Sequence, residues 1–216
     1  MPLYINSKAG KHGKLGIWHI TETLGELLAM KPFSPNDLAN LASFSRENRK
    51  KEWLVSRILV DQLTNKDNIE IFYDEHNKPF LKGSKKNISI SHSHGLLAVL
   101  LDDDETGIDI ELLKPGILRI KEKFMSEKEL QSLKREHLEE QLTLYWCVKE
   151  SLYKYYGKKQ LTFKKNLPVE PFTYTLKGKV RASIVHPTMK KKFNLHYETI
   201  SAGANTFLMA YILNQD

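Results

Sequence analysis

The chain has 216 residues, 33 Lys and Arg against 26 Asp and Glu, a formal charge of +7 and 41% hydrophobic residues. That apolar share builds a core and excludes a disordered chain, while no apolar run approaches the roughly 20 residues of a membrane helix. A single cysteine, Cys147, excludes an intramolecular disulfide and a cysteine-built zinc site.

The basic start, MPLYINSKAGKHGK, has no apolar run behind it and so does not read as a signal peptide. The expectation is a soluble, cytoplasmic protein of one large domain or two of about 100 residues each. Its positive balance favours anionic partners without choosing among them.

In chain order, Leu15 to Ile20 reads as a strand, and Thr21 as the cap of a short helix through Met30. Ser34-Pro35 sets up a second helix, with a capping serine before a proline at the first helical position. Residues 45 to 64 carry Trp53, Leu54, Ile58 and Leu63 at helical spacing. Ile69 to Tyr73, a polar turn, and Lys78 to Leu81 predict a hairpin. Ile88 to His92 alternates, and Leu96 to Leu101 is a solid apolar strand. The acidic turn 102–106 divides the chain into halves at 1–106 and 107–216. Gly107 to Leu112 is the next strand. Ser126 with Glu129 spells a capping box. A helix from about Glu139 stops at Gly157, and segments near 172–185, 193–200 and 206–213 read as antiparallel strands.

Four constellations carry polar chemistry. On the strand Gly107-Ile108-Asp109-Ile110-Glu111, the two carboxylates share one face because residues two apart point the same way. Side by side they repel, so the strand is either a solvated acidic edge or a seat for a hard cation such as Mg²⁺. On the helix Trp146-Cys147-Val148-Lys149-Glu150-Ser151-Leu152-Tyr153-Lys154, Trp146, Glu150 and Lys154 share a face. There Glu150 and Lys154 are either a third carboxylate with a phosphate-binding ammonium or a routine surface pair. Ser91-His92-Ser93, with Asn77-Lys78-Pro79 upstream, offers phosphate donors, although a lone His at a strand end is commonly structural. Finally, Arg46, Arg49, Lys50, Lys51 and Arg57 lie along one helix, with Arg57 among apolar residues and turned toward an anion.

Together these pieces resemble the 4′-phosphopantetheinyl transferases. Gly-Ile-Asp-Ile-Glu at 107–111 followed by Trp-Cys-Val-Lys-Glu-Ser-Leu-Tyr-Lys at 146–154 is similar to that family's paired signature. Asn-Lys-Pro at 77–79, Ser-His-Ser at 91–93, Phe-Met-Ser-Glu at 124–127 and Gly-Lys at 157–158 resemble the longer, surfactin-synthetase-activating type. The resemblance implies an α+β fold of two similar halves in a pseudo-two-fold arrangement, acting as a monomer with the active site between them. It implies transfer of phosphopantetheine from coenzyme A to a carrier-protein serine, with release of 3′,5′-ADP. By position, Asp109, Glu111 and Glu150 would hold Mg²⁺ or Mn²⁺. Glu150 would act as general base and Lys154 beside the pyrophosphate. Arg49, Arg57, Lys78, Pro79, Ser91, His92 and Lys149 would contact coenzyme A.

A metal-dependent nuclease or nucleic-acid-binding protein is the rival reading, since it too would use strand acids, a lysine and a basic surface. No aromatic residues interleave with the basic patches here, which disfavours it. Carrier proteins of the implied class are acidic. The stretch from Lys114 to Lys128, with Arg119, Lys121 and Lys123 around Phe124 and Met125, is the expected docking surface: a basic rim around an apolar centre.

Overall fold

The structure, a computed structural model, describes residues 3–213. The first part of the chain runs β1 (Leu3–Ala9), β2 (Gly13–His19), α1 (Leu24–Ala29), α2 (Pro35–Ser43), α3 (Glu47–Thr64), β3 (Ile71–Tyr73), β4 (Pro79–Leu81), β5 (Asn87–Ser93) and β6 (Leu96–Asp102). The second part runs β7 (Gly107–Leu112), a 3₁₀ turn (Pro115–Arg119), α4 (Lys121–Phe124), α5 (Glu127–Gln131), α6 (Leu138–Tyr156), α7 (Phe163–Asn166), β8 (Lys177–His186), β9 (Met189–Ala202) and β10 (Asn205–Ile212). The fold is α+β. Its two antiparallel sheets are ordered β1-β2-β6-β5-β4-β3 and β7-β10-β9-β8.

Three apolar clusters stack these elements in layers. Trp53, Leu54, Ile58 and Leu59 of α3 press on Trp18, Leu97 and Val99 of the larger sheet. Tyr145, Val148 and Leu152 of α6 press on Leu195, Leu208 and Ala210 of the smaller one. Between the sheets, Ile17, Ala98 and Leu100 meet Ile110, Phe207 and Met209. Strand β6 is therefore buried on both faces along its whole length, which is why Leu96 to Leu101 is apolar without alternation.

Several expected boundaries move. Strand β1 was not anticipated: it is the outer strand of its sheet, and Asn6, Ser7 and Lys8 break any apolar run. Helix α1 is capped by Thr23 rather than Thr21, because Thr23 has Glu26 three residues on and the two cap each other reciprocally. Residues 172–176 lie outside β8. Phe172 and Tyr174 alternate, but they pack as rings: Phe172 lies 5.0 Å from Tyr145, and the Tyr174 hydroxyl is 2.7 Å from that of Thr199.

One glycine sets how closely strand and helix approach. A Cβ on Gly107 would stand 2.0 Å from the Ser151 carbonyl oxygen of α6. Helix α6 is held on the sheet by Ser151, whose hydroxyl bonds the Ala210 carbonyl at 2.8 Å. Gly107→Ala is expected to push β7 off α6 and to lower stability by about 3 kcal/mol. Urea unfolding checks this; a loss under about 0.5 kcal/mol, the range of neutral surface changes, would show that the contact relaxes freely.

Candidate active site

The close approach at Gly107 brings β7 and α6 together with their polar residues facing one cleft. Asp109 is 4% exposed, and its Oδ1 accepts hydrogen bonds from Ser91 Oγ at 2.8 Å and from Lys154 Nζ at 2.8 Å. Lys154 also donates to the Ile108 carbonyl at 2.9 Å. Asp109 Oδ2 is buried with no hydrogen-bond partner among the described residues. Glu111 accepts from Ser93 Oγ at 2.9 Å.

The three acids feel one another. Burial, then Asp109, raises the Glu150 carboxyl to about 7, with Lys154 opposing and Glu111 adding. Burial and Asp109 likewise push Glu111 above the usual carboxylate range, against Ser93, Lys114 and Lys154. The arrangement therefore disfavours three bare negative charges, and a cation would relieve it. Among the described residues no group of three or more His, Cys, Asp or Glu side chains is arranged to hold a metal ion, and Lys154 occupies Asp109 Oδ1. The donor set is nevertheless all oxygen, and one buried carboxylate oxygen is unpaired. The chemistry suits a hard divalent cation.

Beside the acids lies a cleft of about 260 Å³ lined by Lys78, Pro79, Ser89, Glu150, Tyr153 and Lys154. It spans the two parts of the chain: the β3–β4 hairpin and β5 form one wall, and the C-terminal end of α6 the other. Asp74 folds the hairpin turn by accepting the amides of His76 and Lys78 at 2.9 and 2.8 Å. The Lys78 ammonium pairs with Glu105 and reaches toward the Tyr155 carbonyl. Gly157 closes α6 at φ +71°, and a Cβ there would meet Lys78 Cδ at 2.7 Å. That position needs glycine both for its left-handed backbone and for the lysine lying across it.

Not every expected site residue is in this cleft. Lys149 faces the other way: it is fully buried, and its ammonium bonds Glu129 at 2.8 Å and the Phe163 carbonyl at 3.1 Å. One residue along a helix rotates a side chain by about 100°, so the neighbour of Glu150 belongs to the core. The expectation that Lys149 touches coenzyme A is corrected accordingly. Arg57 does turn inward, but the anion beside it is Asp37 at 3.7 Å. Its guanidinium lies 3.3 Å over the Trp53 ring and lines a separate groove with Phe72 and Tyr73.

Ser91 is buried, and its hydroxyl is engaged by Asp109 and by the Ile110 amide at 3.2 Å. It is therefore not presented to a ligand phosphate as expected. His92 points to the other face and is exposed, with Arg49 at 3.1 Å and Glu52 at 3.2 Å. Burial pushes the Glu52 carboxyl up, but His92 and Arg49 outweigh it and leave it below its ordinary value. Cys147 is wholly buried under Asp109 and Glu111; burial and their charge push its thiol far up, which makes it inert. Phe124 and Met125 are 2% and 1% exposed, so they belong to the core and do not form the apolar centre of a docking surface.

Residues to which the sequence reading gave no role include Ser89, Glu105 and Tyr153, and Ser93, expected among the phosphate donors, bonds Glu111. The serines had a visible signal. Asn87-Ile-Ser-Ile-Ser-His-Ser alternates serine with other residues, and a serine face on a strand beside an acidic strand invites pairing.

No helix among the described residues is long and apolar enough to cross a membrane. The family model described as the 4′-phosphopantetheinyl transferase superfamily matches residues 105–211. The 4′-phosphopantetheinyl transferase ffp of Bacillus subtilis is 30% identical over 179 residues, covering 73% of this chain and 78% of that relative. A second 4′-phosphopantetheinyl transferase from Bacillus subtilis is 32% identical over 117 residues, covering 52% and 50%. The 4′-phosphopantetheinyl transferase Sfp of Bacillus subtilis strain 168 is 31% identical over 126 residues, covering 56% and 54%. The chain thus spans most of one relative and about half of the other two. The match to the first over both parts of the fold shows that the chain belongs to the 4′-phosphopantetheinyl transferase superfamily.

Proposed function

We propose that this phosphopantetheinyl transferase takes its group from coenzyme A and attaches it to a serine of an acyl or peptidyl carrier protein, releasing 3′,5′-ADP. The observation that carries the reading is the junction itself: a cleft of about 260 Å³ lined by Glu150 and Lys154, with Asp109 bonded to that lysine and its charge raising the Glu150 carboxyl, all within one chain. Since both walls come from a single chain, a monomer suffices.

The chemistry is a phosphoryl transfer. An oxygen of the carrier serine forms a bond to the β-phosphorus of coenzyme A, and the bond from that phosphorus to the bridging oxygen breaks. The bridging oxygen leaves on 3′,5′-ADP. Glu150, whose carboxyl burial and Asp109 push up to about 7 in the metal-free site, accepts the serine proton. Lys154 sits where it can neutralise charge on the leaving phosphate once that group displaces Asp109 from its ammonium. Asp109, Glu111 and Glu150 would hold Mg²⁺ or Mn²⁺, which supplies Lewis-acid stabilisation of the pyrophosphate when bound. Lys78 and Pro79 would lie against the nucleotide, and Arg49 with His92 would meet an outer phosphate. Lys114, Arg119, Lys121 and Lys123 remain a basic rim that steers an acidic carrier, with the half-buried Ile117 and Leu118 as its apolar part.

Mass spectrometry of an apo carrier incubated with the protein, coenzyme A and Mg²⁺ tests the reading. The expected result is a carrier heavier by one phosphopantetheine, with no such gain when a chelator is present from the start. Cleavage of DNA or RNA under the same conditions, with the carrier unmodified, would establish the nuclease instead.

A further inference from the structure

Among the described residues, strand β7 is an edge strand of its sheet and pairs only with β10. Its outer amides do not face water. Ile108, Ile110 and Leu112 donate to the hydroxyls of Ser89, Ser91 and Ser93 at 3.0, 3.2 and 3.2 Å. All three serines are buried, at 3%, 5% and 7% exposure. Residues two apart share a face in both strands, so a serine row on β5 meets an amide row on β7 in register. The hydroxyls stand in for the missing ladder, and the two sheets are joined along this seam.

Two of the rungs do more. Ser91 accepts from the Ile110 amide and donates a hydrogen bond to Asp109 Oδ1; Ser93 accepts from the Leu112 amide and donates one to Glu111 Oε2. Each carboxylate is thereby fixed to a hydroxyl that is itself fixed to the backbone one residue further on. We infer that Ser91 and Ser93 are positioning residues that orient Asp109 and Glu111 for the divalent cation, while Ser89 supports the seam and the cleft wall but no carboxylate. The inference rests on the reading of those two acids as cation ligands. It reassigns Ser91 from ligand contact to carboxylate support and gives Ser93 a role. Partners of this kind usually change metal affinity about 10-fold to 100-fold when removed.

The experiment titrates Mn²⁺ into the full chain, with and without coenzyme A, and follows the free-ion EPR signal. Ser89→Ala, Ser91→Ala, Ser93→Ala and Asp109→Asn are compared with the unaltered protein, together with the Michaelis constant for coenzyme A. Ser91→Ala and Ser93→Ala are expected to weaken Mn²⁺ binding at least about tenfold and, at saturating Mn²⁺, to leave that Michaelis constant unchanged. Ser89→Ala, which removes a seam hydroxyl that bonds neither carboxylate, should keep normal Mn²⁺ affinity and lower the melting temperature. Where an alanine variant does not fold, Ser→Cys at that position, close in size but a weak donor, is expected to show the same loss. Normal Mn²⁺ affinity in the Ser91 and Ser93 variants, with binding lost in Asp109→Asn, would overturn the inference and leave the cation reading standing. An equal loss in Ser89→Ala would also overturn it, since the seam alone would then explain the effect. Unchanged binding in every variant, Asp109→Asn included, would remove the cation reading and the inference with it.

Discussion

Replacing Glu150 by glutamine is expected to abolish transfer and, at the same time, to stabilise the metal-free protein above neutral pH. Burial beside Asp109 raises this carboxyl from 4.5 to about 7 in the folded state. Below the unfolded value both states carry the proton and the group contributes nothing. Between about 4.5 and 7 the unfolded chain releases it first, so stability falls as pH rises, and above 7 the full penalty is present. At about 1.4 kcal/mol per unit, discounted for partial exposure, the penalty is on the order of 2 kcal/mol. Glutamine removes the charge and keeps the shape. With chelator present, the variant should melt roughly 5 °C above the parent at pH 8 and beside it at pH 4. The transfer assay should read no product. A variant no more stable at pH 8, or one that still loads the carrier, would refute this account of Glu150. Asp109→Asn provides the contrast: Asp109 accepts from Ser91 and Lys154, so its loss should destabilise.

The second large effect concerns Lys149, the residue beside Glu150 in the helix motif. Lys149→Ala is expected to cost about 3–5 kcal/mol, because it leaves a buried carboxylate without its cation. Glu129 is 3% exposed and holds much together: it caps α5 through Ser126, accepts the Val169 amide at 2.9 Å and binds the Lys149 ammonium. Lys149 in turn bonds the Phe163 carbonyl. The pair therefore ties α5, α6 and the segment around α7 into one core. Burial pushes the ammonium below its ordinary value while Glu129 opposes. Replacing both partners, as Glu129→Leu with Lys149→Met, should recover part of the loss, since no bare charge remains. Urea unfolding measures the stabilities. A Lys149→Ala protein of normal stability but raised Michaelis constant for coenzyme A would return the residue to the site.

What was readable in the chain and what was not follows a physical division. Local order was readable: the apolar spacing of α3 and α6, the Ser126–Glu129 cap and the stop at Gly157 all depend on residues within a few positions of one another. Motif spacing also identified the family. Boundaries failed where side-chain packing overrode pattern, as at residues 172–176, or where an outer strand lacked an apolar run, as at β1.

Strand and helix period showed that Asp109 and Glu111, and Glu150 and Lys154, share faces, and the resemblance to the family proposed them as the site. Periodicity alone could not say what lies opposite a face. Lys149 and Lys154 are both lysines of one helical motif, yet Lys149 meets a buried glutamate and Lys154 meets the cleft. Ser91 and His92 are adjacent, yet one supports Asp109 inside the seam and the other stands exposed beside Arg49. The sequence by itself determined the fold class and the family, and proposed the acids. Only the tertiary structure decided which polar neighbours support them and which belong to the core, because burial and partnership across the sheet seam are set by residues far apart in the chain.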